Sequence, residues 1–295
     1  MIQRLCIIGV GLIGGSLARG LRAAGACEEI VGCSRRPETL EKALELGVID
    51  RGELEIGRAV EGADMVVLAV PLGAMASAFR ALNGHLADGA IVTDVGSAKQ
   101  CVIRAANEVF DGPTPWLVPG HPIAGTEKSG VAASFAELFS ERRVILTPTP
   151  ETEPQAVVRV RDMWQQVGAE VIEMDAGHHD QVLAATSHLP HMLAYTLVDV
   201  LGRMEEHEEI FQYAAGGFRD FTRIASSDPQ MWHDICIANA DDLVNTLEHF
   251  SDELKVAIEA VRAGDSETIK SLFVRAKALR DRYTEATTDS SKNAP

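Results

Sequence analysis

One histidine of this chain lies in a sequence setting that suits proton transfer. His121 is held between Gly120 and Pro122, shortly after the apolar run 116–118. The proline restricts the backbone, and an imidazole titrates near neutral pH, so this side chain can accept a proton from a substrate hydroxyl while a hydride leaves the same carbon. A lone histidine is usually structural, but this position after a predicted strand favours catalysis. We therefore predict that His121 is a general base.

A glycine-rich turn near the N-terminus indicates where a hydride acceptor would bind. Gly9, Gly11 and Gly14 form a G-x-G-x-x-G pattern between a predicted strand and a predicted helix. In a dinucleotide-binding turn the first glycine makes the tight turn, the second lets the backbone approach the pyrophosphate, and the third lets helix and strand pack closely. The alternative, a glycine-rich turn without a ligand, is disfavoured by the βα units that follow. The predicted cofactor-binding residues here are Gly9, Gly11, Leu12, Ile13 and Gly14, with Val70 and Pro71 after a later strand.

The end of the second predicted strand bears on which nicotinamide cofactor is bound. Ser34, Arg35 and Arg36 stand where NAD enzymes usually carry an acid for the ribose 2′-hydroxyl. Guanidinium groups bind a 2′-phosphate, whereas an acid would repel it. We therefore predict that these three residues bind the cofactor and that NADP is preferred over NAD. The alternative, a solvated loop that tolerates both cofactors, stays open.

A serine follows another predicted strand at the same edge of the sheet. Ser97 lies in the segment 94–99, where a strand end is followed by Gly-Ser at a predicted helix start. Such strand ends form the ligand edge of an open α/β sheet. The serine can cap the helix, or it can hydrogen-bond a substrate or the imidazole of His121, and both roles stay open.

Two arginines and two histidines in the second half are candidates for substrate binding. Arg219 and Arg223 are one helical turn apart, and in an acidic protein such a pair predicts a clamp for carboxylates. The alternative is ion pairing with nearby acids. His188 and His191 are three residues apart and would share a helix face. They can contact a substrate, pack in the core or form half of a metal site, and since no third ligand follows at a suitable spacing we predict no metal.

Three further side chains of this half have structural predictions. His178 and His179 are predicted at the surface, close to a domain boundary. Trp232 follows the helix start at Asp228 and Pro229. We predict it either as a core residue or as an anchor at an interface.

Strands alternate with helices over the first 174 residues, which predicts an α/β fold with a mostly parallel sheet and helices on both faces. The predicted strands are 5–10, 30–33, 63–70, 91–94, 116–118, 143–147 and 170–174, and the predicted helices are 13–23, 37–46, 98–109 and 154–167. After about residue 175 only helices are predicted, at 178–201, 206–214, 231–263 and 266–283. The predicted domains are therefore a dinucleotide-binding domain at 1–174 and a helical domain at 175–284, with a disordered polar tail at 285–295.

The amino-acid composition limits which binding partners and which cellular compartment we expect. The chain has 295 residues, of which 46% are hydrophobic, and a formal net charge of −16. It can form a sizeable core, but it has no electrostatic footprint for nucleic acid or for an anionic membrane. Its five cysteines are widely spaced, and no apolar run approaches the roughly 20 residues of a membrane span. We expect a cytoplasmic protein without a disulfide framework.

Five motifs occur in an order that resembles one enzyme family. They are Gly9-Val10-Gly11-Leu12-Ile13-Gly14-Gly15-Ser16-Leu17-Ala18, Asp94-Val95-Gly96-Ser97, His121-Pro122-Ile123-Ala124-Gly125-Thr126, Ser187-His188-Leu189-Pro190-His191 and Gly217-Phe218-Arg219-Asp220-Phe221-Thr222-Arg223-Ile224-Ala225. With them the chain resembles the prephenate/arogenate dehydrogenase family of tyrosine biosynthesis over nearly its whole length. The resemblance implies a Rossmann-type domain followed by an all-α domain through which two subunits form a homodimer. It also implies oxidative decarboxylation of a cyclohexadienyl acid, with hydride transfer to NAD(P)+.

The resemblance implies roles for individual residues. The matching His121 would accept the proton of the ring hydroxyl, and the matching Ser97 would support His121 or that hydroxyl. The matching Arg223 would bind a substrate carboxylate. The other matching positions near the substrate are Arg219, His191, His188 and Thr126, and the candidates for a contribution from the partner subunit are Trp232 and Asp220. Some members of the family carry Lys where Arg219 stands, which keeps the charge but changes the hydrogen-bonding geometry.

Two other functions stay open. A β-hydroxyacid dehydrogenase-like oxidoreductase shares the architecture but usually has a catalytic Lys on the helical domain, where this chain has the histidines of 187–191. A dinucleotide-sensing protein would bind the cofactor and need neither His121 nor the arginine pair. Some relatives carry a fused chorismate mutase or a C-terminal regulatory domain, and we expect neither here. The residues do not distinguish prephenate, a keto acid, from arogenate, an amino acid.

Overall fold

The computed structural model describes residues 1–126 and 128–292. The chain divides into two compact units, Met1–Leu243 and Val244–Pro295. None of the helices in the described part of the chain is long and apolar enough to cross a membrane.

The first unit contains a six-stranded parallel sheet. Its strands are β1 (Ile2–Ile8), β2 (Cys27–Cys33), β3 (Arg51–Glu53), β4 (Met65–Leu68), β5 (Ile91–Asp94) and β6 (Leu117–Val118). They lie in the order β3-β2-β1-β4-β5-β6, and every neighbouring pair is parallel. The central strand β4 is buried along its whole length, as expected for a strand covered on both faces. The predicted α/β fold is thereby confirmed.

Helices connect these strands and cover the sheet. They are α1 (Leu12–Ala23), α2 (Pro37–Glu45), α3 (Ile56–Ala59), α4 (Met75–Leu82) and α5 (Gln100–Val109), joined later by α6 (Pro154–Gln166). Successive side chains of a strand point to opposite faces, so Leu5 and Ile7 of β1 pack in one apolar cluster while Cys6 and Ile8 pack in another. The sequence patterns did not predict β3, α3 or α4.

A second, smaller sheet holds the candidate base. Its strands are β7 (Gly120–Pro122), β8 (Arg143–Leu146) and β9 (Glu170–Glu173), in that order. β7 is antiparallel to β8, with His121 opposite Ile145, and β8 is parallel to β9. The two late strands predicted from the sequence therefore do not extend the six-stranded sheet. The unpredicted strand β7 pairs with them because the chain turns away from β6 at Pro119, whose carbonyl accepts from Thr147 N at 2.9 Å.

Past β9 the first unit is helical. Its elements are α7 (Ala176–Leu183), a π-helical turn (Ala184–His188), α8 (Leu189–Gly202), α9 (His207–Gln212), α10 (Gly216–Thr222) and α11 (Pro229–Ala238), and α12 (Ala240–Ala263) begins here. The helix predicted at 178–201 is interrupted by the π-helical turn, which precedes Pro190, a residue without a backbone N–H. The helix predicted at 231–263 is divided at Asn239.

The first compact unit continues past the boundary predicted at residue 175, which marks a change in secondary structure. Asp180 of α7 accepts hydrogen bonds from the backbone N–H groups of Lys99 and Gln100, at 2.8 and 2.9 Å. The Asn239 side chain donates to the Asp180 carbonyl at 2.9 Å. These bonds tie α7 to the start of α5 and to the residue that ends α11.

The second unit comprises the remainder of α12 and α13 (Ser266–Lys292). Gly264 between them has a φ of +65°, the left-handed conformation that commonly ends a helix. Asp265 then accepts hydrogen bonds from the backbone and hydroxyl of Thr268 at the start of α13. The tail predicted to be disordered begins at residue 285, and the helical backbone of α13 runs to Lys292. The remaining residues of that prediction, 293–295, lie outside the described residues.

Candidate active site

The carboxyl ends of neighbouring strands bring the predicted cofactor residues to one edge of the sheet. Ile8, the last residue of β1, is in register with Cys33 of β2 and with Leu68 of β4. Leu68 is in turn paired with Asp94, the last residue of β5. The glycine turn, the segment 34–36, the segment 70–71 and the segment 94–99 therefore start side by side, which is where open α/β sheets bind their ligands.

The three glycines of the turn meet three different surroundings. Gly9 has a φ of +100°, and a Cβ there would lie 2.3 Å from the Ala69 carbonyl oxygen. A Cβ on Gly14 would lie 2.4 Å from the Gly9 carbonyl oxygen and 2.8 Å from the Ile7 side chain, so this glycine lets α1 pack against the turn and β1. A Cβ on Gly11 would meet nothing within 4 Å. The space beside Gly11 is thus open, next to the backbone N–H groups at the start of α1, and this arrangement fits a pyrophosphate.

The rest of the predicted cofactor surface surrounds this turn. Leu12 is buried, Ile13 and Val70 are half-buried, and Pro71 is exposed. Ser34 Oγ accepts a hydrogen bond from Arg36 N at 3.2 Å. Arg35 and Arg36 are exposed, and neither forms an ion pair with a residue in the described part of the chain. Both guanidinium groups are therefore available to an anion.

A buried ion pair holds the loop after β5. Lys99 Nζ lies 2.6 Å from Asp94 Oδ2 and donates to the Gly120 carbonyl at 2.6 Å, with both ionic side chains 0% exposed. The other oxygen of Asp94 accepts from Gly120 N at 3.1 Å. Because Gly120 directly precedes His121, this pair fixes the entry of the chain into β7. The sequence pattern had predicted no role for Lys99, although a lysine five residues after a strand-ending aspartate is a visible signal.

Ser97 lies in this loop and forms neither the predicted helix cap nor a hydrogen bond with His121. α5 begins at Gln100 with Lys99 at its N-cap, and no side chain of that cap accepts a hydrogen bond. The helix-capping alternative for Ser97 is therefore wrong, because the Asp180 carboxylate binds the first free N–H groups of α5 instead. Ser97 is half-buried. Its hydroxyl forms no hydrogen bond with any of the described residues.

His121 contacts His179 of α7, which in turn contacts Asp180. His121 Nδ1 lies 2.9 Å from His179 Nε2, and His179 Nδ1 lies 2.8 Å from Asp180 Oδ1. His179 and Asp180 are 0% and 1% exposed, and His121 is 8% exposed. The predicted surface position is therefore correct for His178, which is exposed, and wrong for His179. The helix turns His179 inward. The only signal in the sequence for its burial was the aspartate, Asp180, that directly follows it.

The surroundings of His121 keep its ring neutral. Burial, followed by the charge of Lys99 and by the neighbouring His179 and His188, lowers the pKa of His121 well below its ordinary value of 6.5. Burial alone would raise the pKa of Asp180, but hydrogen bonds from His179, Gln100 and Lys99 lower it overall. The centre thus combines a neutral imidazole with an ionised carboxylate at neutral pH.

The second predicted histidine pair lies beside Trp232. His188 Nδ1 is 3.1 Å from Asn239 Nδ2, and burial is the main cause that lowers the pKa of His188 to about 4. His188 Nε2 and Trp232 Nε1 are buried and have no hydrogen-bond partner among the described residues. His191 stacks on Trp232, with ring centroids 3.5 Å apart. Buried polar groups without partners are commonly explained by a ligand, an ion or water. The contact with Asn239 had no signal in the sequence.

The two arginines lie at the end of α10. Arg219 is exposed within this helix, and Arg223 is exposed in the short turn 223–226 that follows. Neither forms an ion pair with a residue that the structure describes, so the alternative of pairing with nearby acids is not observed. Burial and the charge of Arg223 lower the pKa of His191, against a hydrogen bond to the Ser187 carbonyl that raises it. Because the charge of Arg223 acts on His191, the two side chains lie near one another.

Thr126 is exposed, and its Oγ1 accepts from Lys128 N at 3.2 Å. Thr126 forms no hydrogen bond with His121. Residue 127, which follows it, lies outside the described residues. In the described part of the chain no group of three or more His, Cys, Asp or Glu side chains is arranged to hold a metal ion.

Two protein-family models together match most of the chain. The family model for the nucleotide-binding domain of prephenate dehydrogenase matches residues 17–173, and the model for its dimerization domain matches residues 175–275. A cyclohexadienyl dehydrogenase of Zymomonas mobilis subsp. mobilis is 38% identical over 284 residues, which cover 95% of this chain and 96% of that protein.

Two crystal structures are similar over nearly their full length. Prephenate dehydrogenase from A. aeolicus, in complex with hydroxyphenyl propionate and NAD+, is 37% identical, with a TM-score of 0.89 over 96% of this chain and 99% of that one. Synechocystis arogenate dehydrogenase is 28% identical, with a TM-score of 0.80 over 95% of this chain and 100% of that one.

Proposed function

The chain belongs to the prephenate dehydrogenase family, and from this premise we propose that His121 is the base in its oxidative decarboxylation of a cyclohexadienyl acid. The observation that carries this proposal is the environment of the ring. His121 is buried, its Nδ1 is engaged by His179, and its pKa is low enough for the ring to be neutral. A neutral imidazole with one free nitrogen can accept the proton of a substrate hydroxyl.

The substrate would lie between His121 and the arginines of α10. Arg223 and Arg219 would bind its carboxylates, since both are exposed guanidinium groups in a chain with a net charge of −16. The free Nε2 of His188 would donate to the substrate, and His191 would contact it from its stacked position on Trp232. Thr126 and Ser97 complete the proposed substrate surface, with Ser97 beside the reacting hydroxyl. Loss of CO2 follows oxidation because it makes the ring aromatic.

The chain binds a nicotinamide dinucleotide, as its nucleotide-binding domain and glycine turn require. When bound, this cofactor supplies the hydride acceptor. We propose that Gly9, Gly11, Leu12, Ile13 and Gly14 hold the pyrophosphate, with Val70 and Pro71 beside it. A preference for NADP over NAD is supported by the absence of an acid at 34–36 and by the two guanidinium groups there, which form no ion pair with the described residues.

The first experiment crosses two substrates with two cofactors. Reduction of NAD+ and NADP+ by the purified protein is measured by absorbance, with prephenate and arogenate each supplied in turn. We expect turnover in at least one combination, and the four rates give both specificities. Cofactor binding without turnover of either acid would contradict the proposed function and favour a dinucleotide-sensing protein.

The cofactor preference has its own test. Replacing Arg35 and Arg36 together by Ala should weaken NADP+ binding by about tenfold or more, because charge-assisted hydrogen bonds of ~1.5 kcal/mol or more to the 2′-phosphate are lost. NAD+ binding should change little. Arg104→Ala, at an exposed position on α5, is the matched control. Equal losses for both cofactors would contradict the NADP preference.

We further propose a homodimer formed through the helical domain at 175–284, a proposal that the match to a dimerization domain supports. Large apolar side chains exposed on α13, such as Phe273, Val274 and Leu279, are suited to such an interface. Sedimentation velocity should give a mass of two chains. All five cysteines are free thiols, which supports the proposal of a cytoplasmic location.

A further inference from the structure

We propose that His179 and Asp180 are positioning residues that fix His121 in one tautomer and then take over the proton that His121 receives. This inference rests on the proposed role of His121 as the base. It concerns two residues of α7 that lie behind the reacting nitrogen of His121 and outside the substrate surface.

The starting point is the carboxylate of Asp180. Its Oδ2 accepts from Gln100 N at 2.9 Å, and its Oδ1 accepts from Lys99 N at 2.8 Å while also lying 2.8 Å from His179 Nδ1. Both backbone groups can only donate, so the carboxylate faces donors on each oxygen. Such a group is held ionised and acts as an acceptor only. The nitrogen of His179 that faces it must therefore carry the proton.

The tautomer of His121 follows from this assignment. A neutral His179 with its proton on Nδ1 has an unprotonated Nε2, which is an acceptor. His121 Nδ1 lies 2.9 Å from that nitrogen and must donate to it. The proton of a neutral His121 is thereby placed on Nδ1, and its Nε2 is left with a free lone pair. Nε2 forms no hydrogen bond with the described residues, so it is the nitrogen available to a substrate hydroxyl.

The same contacts provide a path for the incoming proton. As the substrate O–H bond breaks, an N–H bond forms at His121 Nε2. The N–H bond at His121 Nδ1 can then break while one forms at His179 Nε2, over the 2.9 Å between these atoms. His179 becomes the imidazolium, with the Asp180 carboxylate 2.8 Å from its other nitrogen. No other reactant is needed, since one proton enters and moves one ring further.

Electrostatics favour this transfer. A positive charge on His121 is opposed first by burial of the ring and then by the Lys99 ammonium, with His179 and His188 adding to the effect. A positive charge on His179 is instead compensated by Asp180 in direct contact. Because all three side chains are at most 8% exposed, water screens neither effect well. The relay therefore moves the charge from a ring near the Lys99 ammonium to a ring in direct contact with the Asp180 carboxylate.

The tautomers can be measured without catalysis. Protein labelled with 15N at histidine gives long-range 1H–15N correlations that distinguish the protonated ring nitrogen of each neutral histidine. The spectra of His121→Asn and His179→Gln assign the two rings among the nine histidines of the chain. We expect the proton on Nδ1 in both rings of the wild-type protein at neutral pH. A His121 ring protonated at Nε2 would overturn the proposal, whether or not the enzyme turns over.

Kinetics then separate positioning from a purely structural role. His179→Gln can still accept from His121 Nδ1 but cannot carry the proton, and His179→Phe can do neither. We expect kcat to fall about tenfold in the first variant and about 10²-fold or more in the second, as part of the 10²–10⁴-fold that a placed base contributes. KM for the substrate and the Kd of the cofactor should stay within about twofold of the wild type in both.

The control is the neighbouring residue. His178→Gln changes an exposed histidine on the same helix, and its kcat should equal that of the wild type. Equal kcat in wild type and His179→Phe, per folded molecule, would leave α7 with a structural role only and overturn the relay. A wild-type protein that oxidises neither acid would instead contradict the proposed function and leave the tautomer result standing.

Discussion

The glycine turn and the histidine centre lie at the same edge of the sheet but are built on opposite principles. The turn is one stretch of six residues, and it works because two of its positions have no room for a side chain and a third leaves space open. The centre unites residues from β5, β7, α7 and the loop before α5, and it works through buried charges and hydrogen bonds. A site made of backbone is encoded locally, whereas a site made of buried polar groups exists only once distant elements pack.

The first prediction concerns the base, where the centre should be most sensitive. His121→Asn should lower kcat by about 10²–10⁴-fold, because the proton acceptor is lost. The cofactor Kd should be unchanged, since the glycine turn is intact. Steady-state kinetics and cofactor titration by fluorescence measure the two effects. His85→Asn, an exposed change, is the control, and unchanged turnover in His121→Asn would exclude this residue as the base.

The second prediction concerns the ion pair that holds the centre in place. Lys99→Met should reduce the free energy of unfolding by about 3–5 kcal/mol, because Asp94 is left as a buried charge without its partner. Lys42→Met breaks the exposed contact with Glu45 and should cost less than about 1 kcal/mol. Urea denaturation of both variants measures the difference. Similar losses at the two sites would show that burial does not set the energetics of this pair.

The third prediction concerns His188, whose partner Asn239 also contacts Asp180 of the centre, and compares it with the turn, which has no titratable group. The pKa of His188 in the folded protein is about 4, below its ordinary value of 6.5. The unfolded chain therefore binds the proton first as pH falls. The neutral His188 ring therefore makes its full contribution to the stability of the folded protein above about pH 6.5, and this contribution is lost as the pH falls to about 4. The full change in the free energy of unfolding between these two pH values is about 3 kcal/mol.

Denaturation curves measured between pH 4 and 7 test this prediction. The free energy of unfolding of the wild type should fall more steeply than that of His188→Gln, whereas His178→Gln should follow the wild type. Parallel curves for wild type and His188→Gln would contradict the depressed pKa.

The smallest effect is expected within the turn itself. Gly14→Ala should reduce the free energy of unfolding by about 1–3 kcal/mol, because its Cβ would lie 2.4 Å from the Gly9 carbonyl oxygen and 2.8 Å from Ile7 Cγ2. Gly11→Ala, where the added Cβ meets nothing within 4 Å, should change stability by less than about 0.5 kcal/mol and should weaken cofactor binding. Thermal denaturation and cofactor titration provide both readings. Equal destabilisation by the two substitutions would show that the turn does not divide packing from ligand approach.

The sequence by itself determined the parallel α/β half, the succession of helices after it, the glycine turn and the candidate base. These features depend on periods of two or 3.6 residues and on short motifs, which act over a few neighbouring residues. Neighbouring side chains therefore record them, as the agreement of β5 and α1 with their predicted bounds illustrates.

Only the tertiary structure decided the second sheet, the failure of Ser97 to cap α5, and the burial of His179. His121 and His179 are 58 residues apart in the chain, and Lys99 and Asp180 are 81 apart. A histidine or an aspartate looks the same in the sequence whether it faces water or another polar group. Its role is set by the partner that folding brings within about 3 Å, because the cost of burying a polar group is offset only by a hydrogen bond made at that distance.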